Sequence, residues 1–325
     1  MKKAFFINGG AGRVLCSIPA LEKYAQTNDD FIIVSEGWSE CFSGNKILQD
    51  KVFDVMHKNL FEDHLLDREL ISPEPYRLNA YFNQKCNLIQ AFDILINDLK
   101  EIPETSKITL ELNKQEQVFG YNLVEEVKQT KHKDKVIVFQ PFGSTAKMEG
   151  KFIFDSSGRS FELADIYKLI ESLTKSYGVI LMSPIGLPSN VDLGIAWPQN
   201  LHLRQWMGII NAADYFLGCD SVGQHIAYAL DKPTTVTIGS TFPENISYPD
   251  KDNFTIIDNG KAKRKYSPIR ITMDDISDRN NEDLMILSKD SFGSILDSIN
   301  KKLSPIEANS VLKKDFNAGA KIKKN

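Results

Sequence analysis

One alternation constrains this chain more than any other feature. Short, continuous apolar runs end at glycine, proline or serine, and helix-spaced segments lie between them. Ala4-Phe5-Phe6-Ile7 ends at Gly9-Gly10. Phe31-Ile32-Ile33-Val34 comes next, after a segment in which Val14, Leu15, Ile18, Leu21 and Tyr24 share one helical face. Val136-Ile137-Val138-Phe139 runs into Gln140-Pro141-Phe142-Gly143. Val179-Ile180-Leu181-Met182 runs into Ser183-Pro184, and Thr235-Val236-Thr237-Ile238 into Gly239. A strand that is apolar without alternation is buried on both faces, as in a parallel sheet covered by helices. Strands and helices in alternation predict an α/β protein with doubly wound sheets.

A chain of 325 residues exceeds one ordinary core and suits two. The charged break Lys131-His132-Lys133-Asp134-Lys135 separates two strand-helix series. The expected organisation is a Rossmann-like domain over 1–134, a second over 135–280, and a C-terminal helix with a mobile tail over 281–325. Lys51 to Met56, Ile108 to Leu112, Tyr215 to Leu217 and Phe254 to Ile257 read as further strands. Leu88 to Leu99, Glu116 to Thr130, Phe161 to Ser176, Leu203 to Ala213, Ser221 to Leu230 and Leu284 to Leu303 read as helices. Pro19 is expected to interrupt the first helix locally. Gly37 to Leu48 reads as a polar helix or loop, and the charged stretch Leu60 to Pro75 matches no single pattern.

The net charge of -4 gives no overall footprint for nucleic acid, which is not a favoured partner. The basic run Lys261, Lys263, Arg264, Lys265 reads as a solvated loop, and Lys321, Lys323, Lys324 as a frayed end. No segment has the length of a membrane span or a signal sequence, so a cytoplasmic protein with no integral membrane segment is expected. The four cysteines form no CxxC pair, and Cys16 and Cys219 read as small buried hydrophobes. The five histidines lack HxxxH and HExxH spacing, so no metal site is expected.

Two stretches carry chemistry on their own physics. Gly218-Cys219-Asp220-Ser221-Val222-Gly223-Gln224-His225 follows a strand and opens a helix. Ser221 is suited to cap that helix with its hydroxyl, and Gly223 to admit a ligand to the first turn. Free N–H groups and the helix dipole then favour an anion, although a plain capped helix fits the same residues. Gly143-Ser144-Thr145-Ala146-Lys147 supplies donors at the carboxyl end of a strand, where open α/β sheets bind ligands, and Arg159 can add a guanidinium. Gly9-Gly10-Ala11-Gly12 is not a full dinucleotide turn, because Leu15 holds the place of the third glycine.

Three segments together resemble the heptosyltransferase-type glycosyltransferases of family nine, which have the GT-B fold of two Rossmann-like domains facing a central cleft. Gly10-Ala11-Gly12-Arg13-Val14-Leu15 with Pro19-Ala20-Leu21 is similar to the family's Gly-x-Gly-Asp and Pro-Ala-Leu patterns. Phe139 to Ser144 with Arg159-Ser160-Phe161 is similar to its central phosphate loop. Ala212-Ala213-Asp214, Gly218 to Ser221, His225, Ala229 to Pro233 and Gly239-Ser240-Thr241 are similar to its donor-site signature.

The resemblance implies inverting, metal-independent transfer of a sugar from a nucleotide-diphosphate donor, with no further cofactor. The acceptor, a glycan or less readily a modified nucleobase, would meet the N-terminal domain near Gly10 and Gly12. Gly143, Ser144, Ser221, Val222 and Gly223 would contact the diphosphate. Asp220 and His225 would support the turn, Lys147 and Arg159 would neutralise the departing charge, and Glu244 would contact the sugar or ribose.

Two positions depart from the pattern. Arg13 stands where the family has its general-base Asp, and arginine cannot take a proton at neutral pH. Either another carboxylate serves, with Glu36 and Glu40 as candidates, or Arg13 binds an acidic acceptor, or the chain binds nucleotide sugars without catalysis. Val222 replaces a family glycine. A nicotinamide-dependent oxidoreductase is a third class, with Glu36 as its acidic residue but with the wrong glycine spacing.

Overall fold

The computed structural model describes residues 2–150, 152–155, 157–188, 192–265 and 283–303. The first half runs β1 (Lys3–Ile7), α1 (Ala11–Ala25), β2 (Phe31–Ser35), β3 (Val52–Asp54), β4 (Glu69–Ile71), α2 (Asn79–Phe82), α3 (Leu88–Asn97) and α4 (Lys114–Lys131). Its strands pair in parallel in the order β3-β2-β1-β4. The second half runs β5 (Val136–Gln140), β6 (Ala146–Glu149), β7 (Phe152–Asp155), α5 (Leu163–Leu173), β8 (Gly178–Leu181), α6 (Leu203–Ala212) and β9 (Tyr215–Cys219). It continues with α7 (Val222–Ala229), β10 (Thr234–Ile238), α8 (Pro243–Ile246), β11 (Phe254–Asp258) and α9 (Lys289–Leu303). Five of these strands pair in parallel in the order β11-β10-β9-β5-β8, while β6 and β7 form a separate antiparallel hairpin.

Each parallel sheet reverses its order of assembly once. In the first, β1 lies between β2 and β4; in the second, β5 lies between β8 and β9. At such a switch point the flanking connections leave in opposite directions and open a crevice at the carboxyl ends of the strands. The loops after β1 and β4, and those after β5 and β9, are therefore the places where this fold can hold a ligand.

The two halves share one apolar core. Phe5, Val14 and Ile18 belong to the same cluster as Val138, Ile180, Ile209 and Ile226. α1 packs on both α3 and α7. α4 packs closely along α6, where Gly120 meets the Gly208 carbonyl and Gly208 meets the Glu116 carbonyl. Arg204 braces this crossing with a fork to Glu116, Nε to Oε1 at 2.8 Å and Nη2 to Oε2 at 2.6 Å. No helix among the described residues is long and apolar enough to cross a membrane.

Several expectations change. α1 runs unbroken through Pro19, since a proline removes only one ladder bond and this one packs in the buried face. Ile108 to Leu112 is not a strand: Ile108 enters the core and Thr109 Oγ1 donates to Glu22 Oε2 at 2.9 Å, so the segment lines α1 instead of a sheet edge. β4 was hidden because it is an edge strand with Glu69 and Leu70 exposed, and so shows no apolar run. Gly37 to Leu48 holds only a short 3₁₀ turn at Ser39–Phe42. The last helix begins at Lys289, with Leu284 and Met285 buried in the turn before it. Arg264 leaves the solvated-loop reading, donating to the Gly239 carbonyl at 3.0 Å and packing over the Phe242 ring. The boundary near 280, the tail after 303, and Lys321, Lys323 and Lys324 lie outside the described residues.

A methyl group at Gly208 has nowhere to go except into backbone, whereas one at Gly293 in α9 meets open space. Gly208→Ala is expected to lower unfolding free energy by about 3 kcal/mol, the upper end of overpacking costs. Gly293→Ala is expected to raise it by roughly 0.5–1 kcal/mol. Urea unfolding of both variants checks the pair.

Candidate functional site

The second sheet's switch point brings the end of β5 beside the end of β9, with Gln140 in register with Gly218. The Gln140 amide reaches across to α7. Its Oε1 accepts from the Gly223 N–H at 3.0 Å and its Nε2 donates to Ser221 Oγ at 3.1 Å. Two expectations about this turn are corrected. Ser221 occupies the N-cap position, but its hydroxyl serves Gln140 and makes no cap bond to the helix. Gly223 does not leave room for a ligand: a side chain there would overlap the Phe216 ring and the Gln140 amide. The glycine seats α7 against β9, so a bulky replacement would damage the fold itself. The N–H groups of Ser221 and Val222 have no acceptor among the described residues, and they are the part of the turn able to receive an anion. Val222 contributes through its backbone while its side chain packs on the core.

Asp220, just before the turn, is buried. Its Oδ1 accepts from Gln224 Nε2 at 2.9 Å, and its Oδ2 lies 3.9 Å from Arg159 Nη1. Burial raises the Asp220 pKa, and the Arg159 charge opposes that rise in part. Burial also works against the charge on Arg159, but the negative groups around it, Asp220 foremost, hold its pKa above the ordinary value. Arg159 projects from a loop organised by Asp155. That carboxylate accepts from the Ser157 N–H at 2.8 Å and the Ser160 N–H at 3.0 Å, and from the hydroxyls of Ser157, Ser160 and Thr145. Burial pushes its pKa up, yet these donors outweigh it and bring the carboxyl down to about 2. The Ser160 hydroxyl in turn accepts from the Gly143 N–H at 2.9 Å. Ser144 is exposed. Lys147 is exposed on β6, opposite Phe154, and not in a loop closing on the turn.

The first sheet's switch point stands against this one. α1 opens at Ala11, and a side chain on Gly12 would come within 2.6 Å of the His225 ring and 3.6 Å of Val222 Cα. The first turns of α1 and α7 therefore touch. His225 Nδ1 lies 2.7 Å from the Tyr248 hydroxyl and 3.5 Å from Cys16 Sγ. Burial, with a contribution from the Arg159 charge, lowers the His225 pKa to about 4, so the ring is neutral near pH 7. Burial pushes the Cys16 thiol up to about 12, and Cys219 also rises on burial, in keeping with inert packing roles. Asn245 of α8 crosses to the first half, donating to the carbonyls of Tyr81 and Cys86 at 2.9 Å each.

Arg13 is buried beside Gly12. Its Nη1 and Nη2 reach Glu74 Oε1 and Oε2 at 3.2 and 3.4 Å, and Nη2 also donates to the Pro73 carbonyl at 3.1 Å. The guanidinium lies over the Tyr76 ring at 5.0 Å. Its charge is thus already matched within the chain, against the expectation that it awaits an acidic acceptor. Glu36 is exposed after β2 and Glu40 half-buried in the 3₁₀ turn; no hydrogen bond joins either side chain to the cluster among the described residues. Glu244 is exposed in the first turn of α8.

The structure therefore gathers Gly12, Arg13, Gly143, Arg159, Asp220, Ser221, Val222, Gly223 and His225 around one junction. Lys147, Glu36, Glu40 and Glu244 are not tied into it. Sequence reasoning missed Gln140, Asp155, Glu74 and Tyr248 as members. The polar end of an apolar strand was a signal for Gln140, and a carboxylate between two prolines was one for Glu74.

No family model and no curated protein matches this sequence. Solved structures do match its shape. The family 9 glycosyl transferase from Veillonella parvula aligns over 92% of this chain and 96% of its own, with TM-score 0.61 and 11% identity. The Escherichia coli ADP-heptose LPS heptosyltransferase II aligns over 93% and 98%, with TM-score 0.55 and 13% identity. The iron-containing dodecameric glycosyltransferase TibC from enterotoxigenic E. coli aligns over 94% of this chain and 78% of its own, with TM-score 0.58 and 12% identity. The chain has the GT-B fold of these glycosyltransferases, as the resemblance implied. Among the described residues no group of three or more His, Cys, Asp or Glu is placed to hold a metal ion.

Because native His225 stays neutral down to about pH 4 while an unfolded histidine protonates near 6.5, the unfolded state binds the extra proton between those values. Stability is expected to fall as pH drops through that window, with His225 accounting for a loss on the order of 3 kcal/mol once pH is below about 4. His225→Gln should flatten the slope of unfolding free energy against pH between those limits, measured by urea titration.

Proposed function

We propose that this chain is a glycosyltransferase that moves a sugar from a nucleotide-diphosphate donor to a hydroxyl acceptor, with inversion and without a metal ion. One observation carries the reading. The two switch points face each other, one with an anion-receptive helix start beside a half-buried guanidinium, the other with a carboxylate across the junction. The N–H groups of Ser221 and Val222 and the charge of Arg159 suit a diphosphate. Negative charge grows on that diphosphate as the glycosidic bond breaks, so fixed donors there favour the transition state over the bound donor. Arg159 supplies the counter-charge that a metal ion would otherwise give.

The acceptor falls to the N-terminal half, near Gly10 and Gly12. Similar architecture in a heptosyltransferase described with ADP-heptose supports a nucleotide sugar as donor. The sugar class stays open between hexosyl, heptosyl and pentosyl. The free cysteines among the described residues, all buried, suit a reducing compartment such as the cytoplasm. Arg13 favours one other reading, a nucleotide-sugar-binding protein without turnover.

A thermal-shift panel of ADP, GDP, UDP and CDP separates these readings, followed by transfer and hydrolysis assays with the matching sugars. At least one nucleotide is expected to stabilise the protein, by about 2.7 kcal/mol at 100 times its Kd. Arg159→Gln should weaken that nucleotide about tenfold or more, as removal of a charged hydrogen-bond partner does. Stabilisation without sugar release would favour the binding protein, and no stabilisation by any of the four would sink both.

A further inference from the structure

The Arg13–Glu74 pair has an asymmetry that a purely structural brace does not need. The Arg13 side chain is 8% exposed, while the Glu74 side chain is 31% exposed. The carboxylate is the open member. Three donors fix it: Arg13 Nη1 and the Tyr76 N–H on Oε1, each at 3.2 Å, and Arg13 Nη2 on Oε2 at 3.4 Å. A carboxylate offers about four lone-pair sites, so one on Oε2 is left for a further donor. Pro73 and Pro75 flank Glu74, and proline restricts both its own φ and the residue before it. The backbone that carries the carboxylate thus has few alternatives.

The position is also right. Glu74 follows β4 and Arg13 follows β1, the two strands at the first sheet's switch point. Arg13 lies over Tyr76 and next to Gly12, the residue at which the start of α1 meets the His225 ring and Val222 of the α7 turn. The turn that presents Glu74 therefore overlooks the donor side of the junction.

We propose that Glu74 is the general base of the transfer and that Arg13 is the positioning residue that presents it, an assignment that rests on the glycosyltransferase reading. The acceptor hydroxyl oxygen forms a bond to the anomeric carbon, and its proton passes to the Glu74 carboxylate. The bond from the anomeric carbon to the diphosphate oxygen breaks, and its electron pair leaves with the diphosphate toward Arg159 and the α7 turn.

The test uses Glu74→Gln, which keeps the shape and an acceptor for the Tyr76 N–H but cannot take the proton. ADP-, GDP-, UDP- and CDP-linked hexose, heptose and pentose serve as donors and water as acceptor, with nucleoside diphosphate affinity measured alongside. E74Q is expected to bind the diphosphate like wild type and to release sugar about 100-fold more slowly or worse, the usual worth of a general base. The acidic limb of the wild-type pH–rate profile should vanish in E74Q. Arg13→Lys, which keeps the charge but loses the fork, should lower kcat with the donor KM unchanged. Sugar release by E74Q at the wild-type rate, with the acidic limb intact, overturns the base assignment and leaves the transferase reading standing. A wild-type protein that binds none of the diphosphates, or releases no sugar, removes that reading and the base with it.

Discussion

The contact between the first turns of α1 and α7 is the constraint on which the site depends. Gly12 has no side chain because the His225 ring occupies that space. Two helix starts brought this close would repel through their positive dipole ends unless something between them were neutral or negative. The chain meets that need with a neutral histidine and with carboxylates set back on either side, Asp220 in the second half and Glu74 in the first. The same arrangement leaves the α7 start with donors to spare, which an anionic ligand would satisfy.

Much of the machinery consists of side chains that hold other side chains. Gln140 seats α7, Asp155 shapes the loop that delivers Arg159, and Arg13 carries Glu74. Each supporting group is buried or half-buried, and Asp155 alone accepts five hydrogen bonds, whereas Arg13 leaves its Nε without a partner. Buried polar groups that lack partners are costly, so the filled carboxylate of Asp155 holds its loop rigid. Rigidity matters for the proposed chemistry, because electrostatic help to a leaving diphosphate requires donors already in place.

The parallel sheets were legible because buried parallel strands announce themselves as uninterrupted apolar runs, as Val136 to Phe139 and Phe31 to Val34 do. β4 and the β6–β7 hairpin were not, since Leu70, Phe152 and Phe154 are exposed and sit outside any run a core would impose. The donor-side turn was legible at Asp220 and Ser221 as a strand end followed by a helix start. How that turn works was not: the Ser221 hydroxyl and the Gly223 backbone both answer to Gln140, which lies about eighty positions earlier in the chain.

The sequence by itself determined what local patterns can encode. These are two strand-helix series, the glycine turn before α1 and the helix start after β9; that an arginine stands where a base was expected came only from the family resemblance. Tertiary structure alone decided which of the remaining carboxylates would stand beside that arginine. Glu36 and Glu40 are nearer in sequence, but parallel pairing of β4 with β1 carries the Pro73-Glu74-Pro75 turn to the start of α1. That pairing is set by edge-strand hydrogen bonds between distant backbone segments, which leave almost no trace in the apolar pattern of the chain.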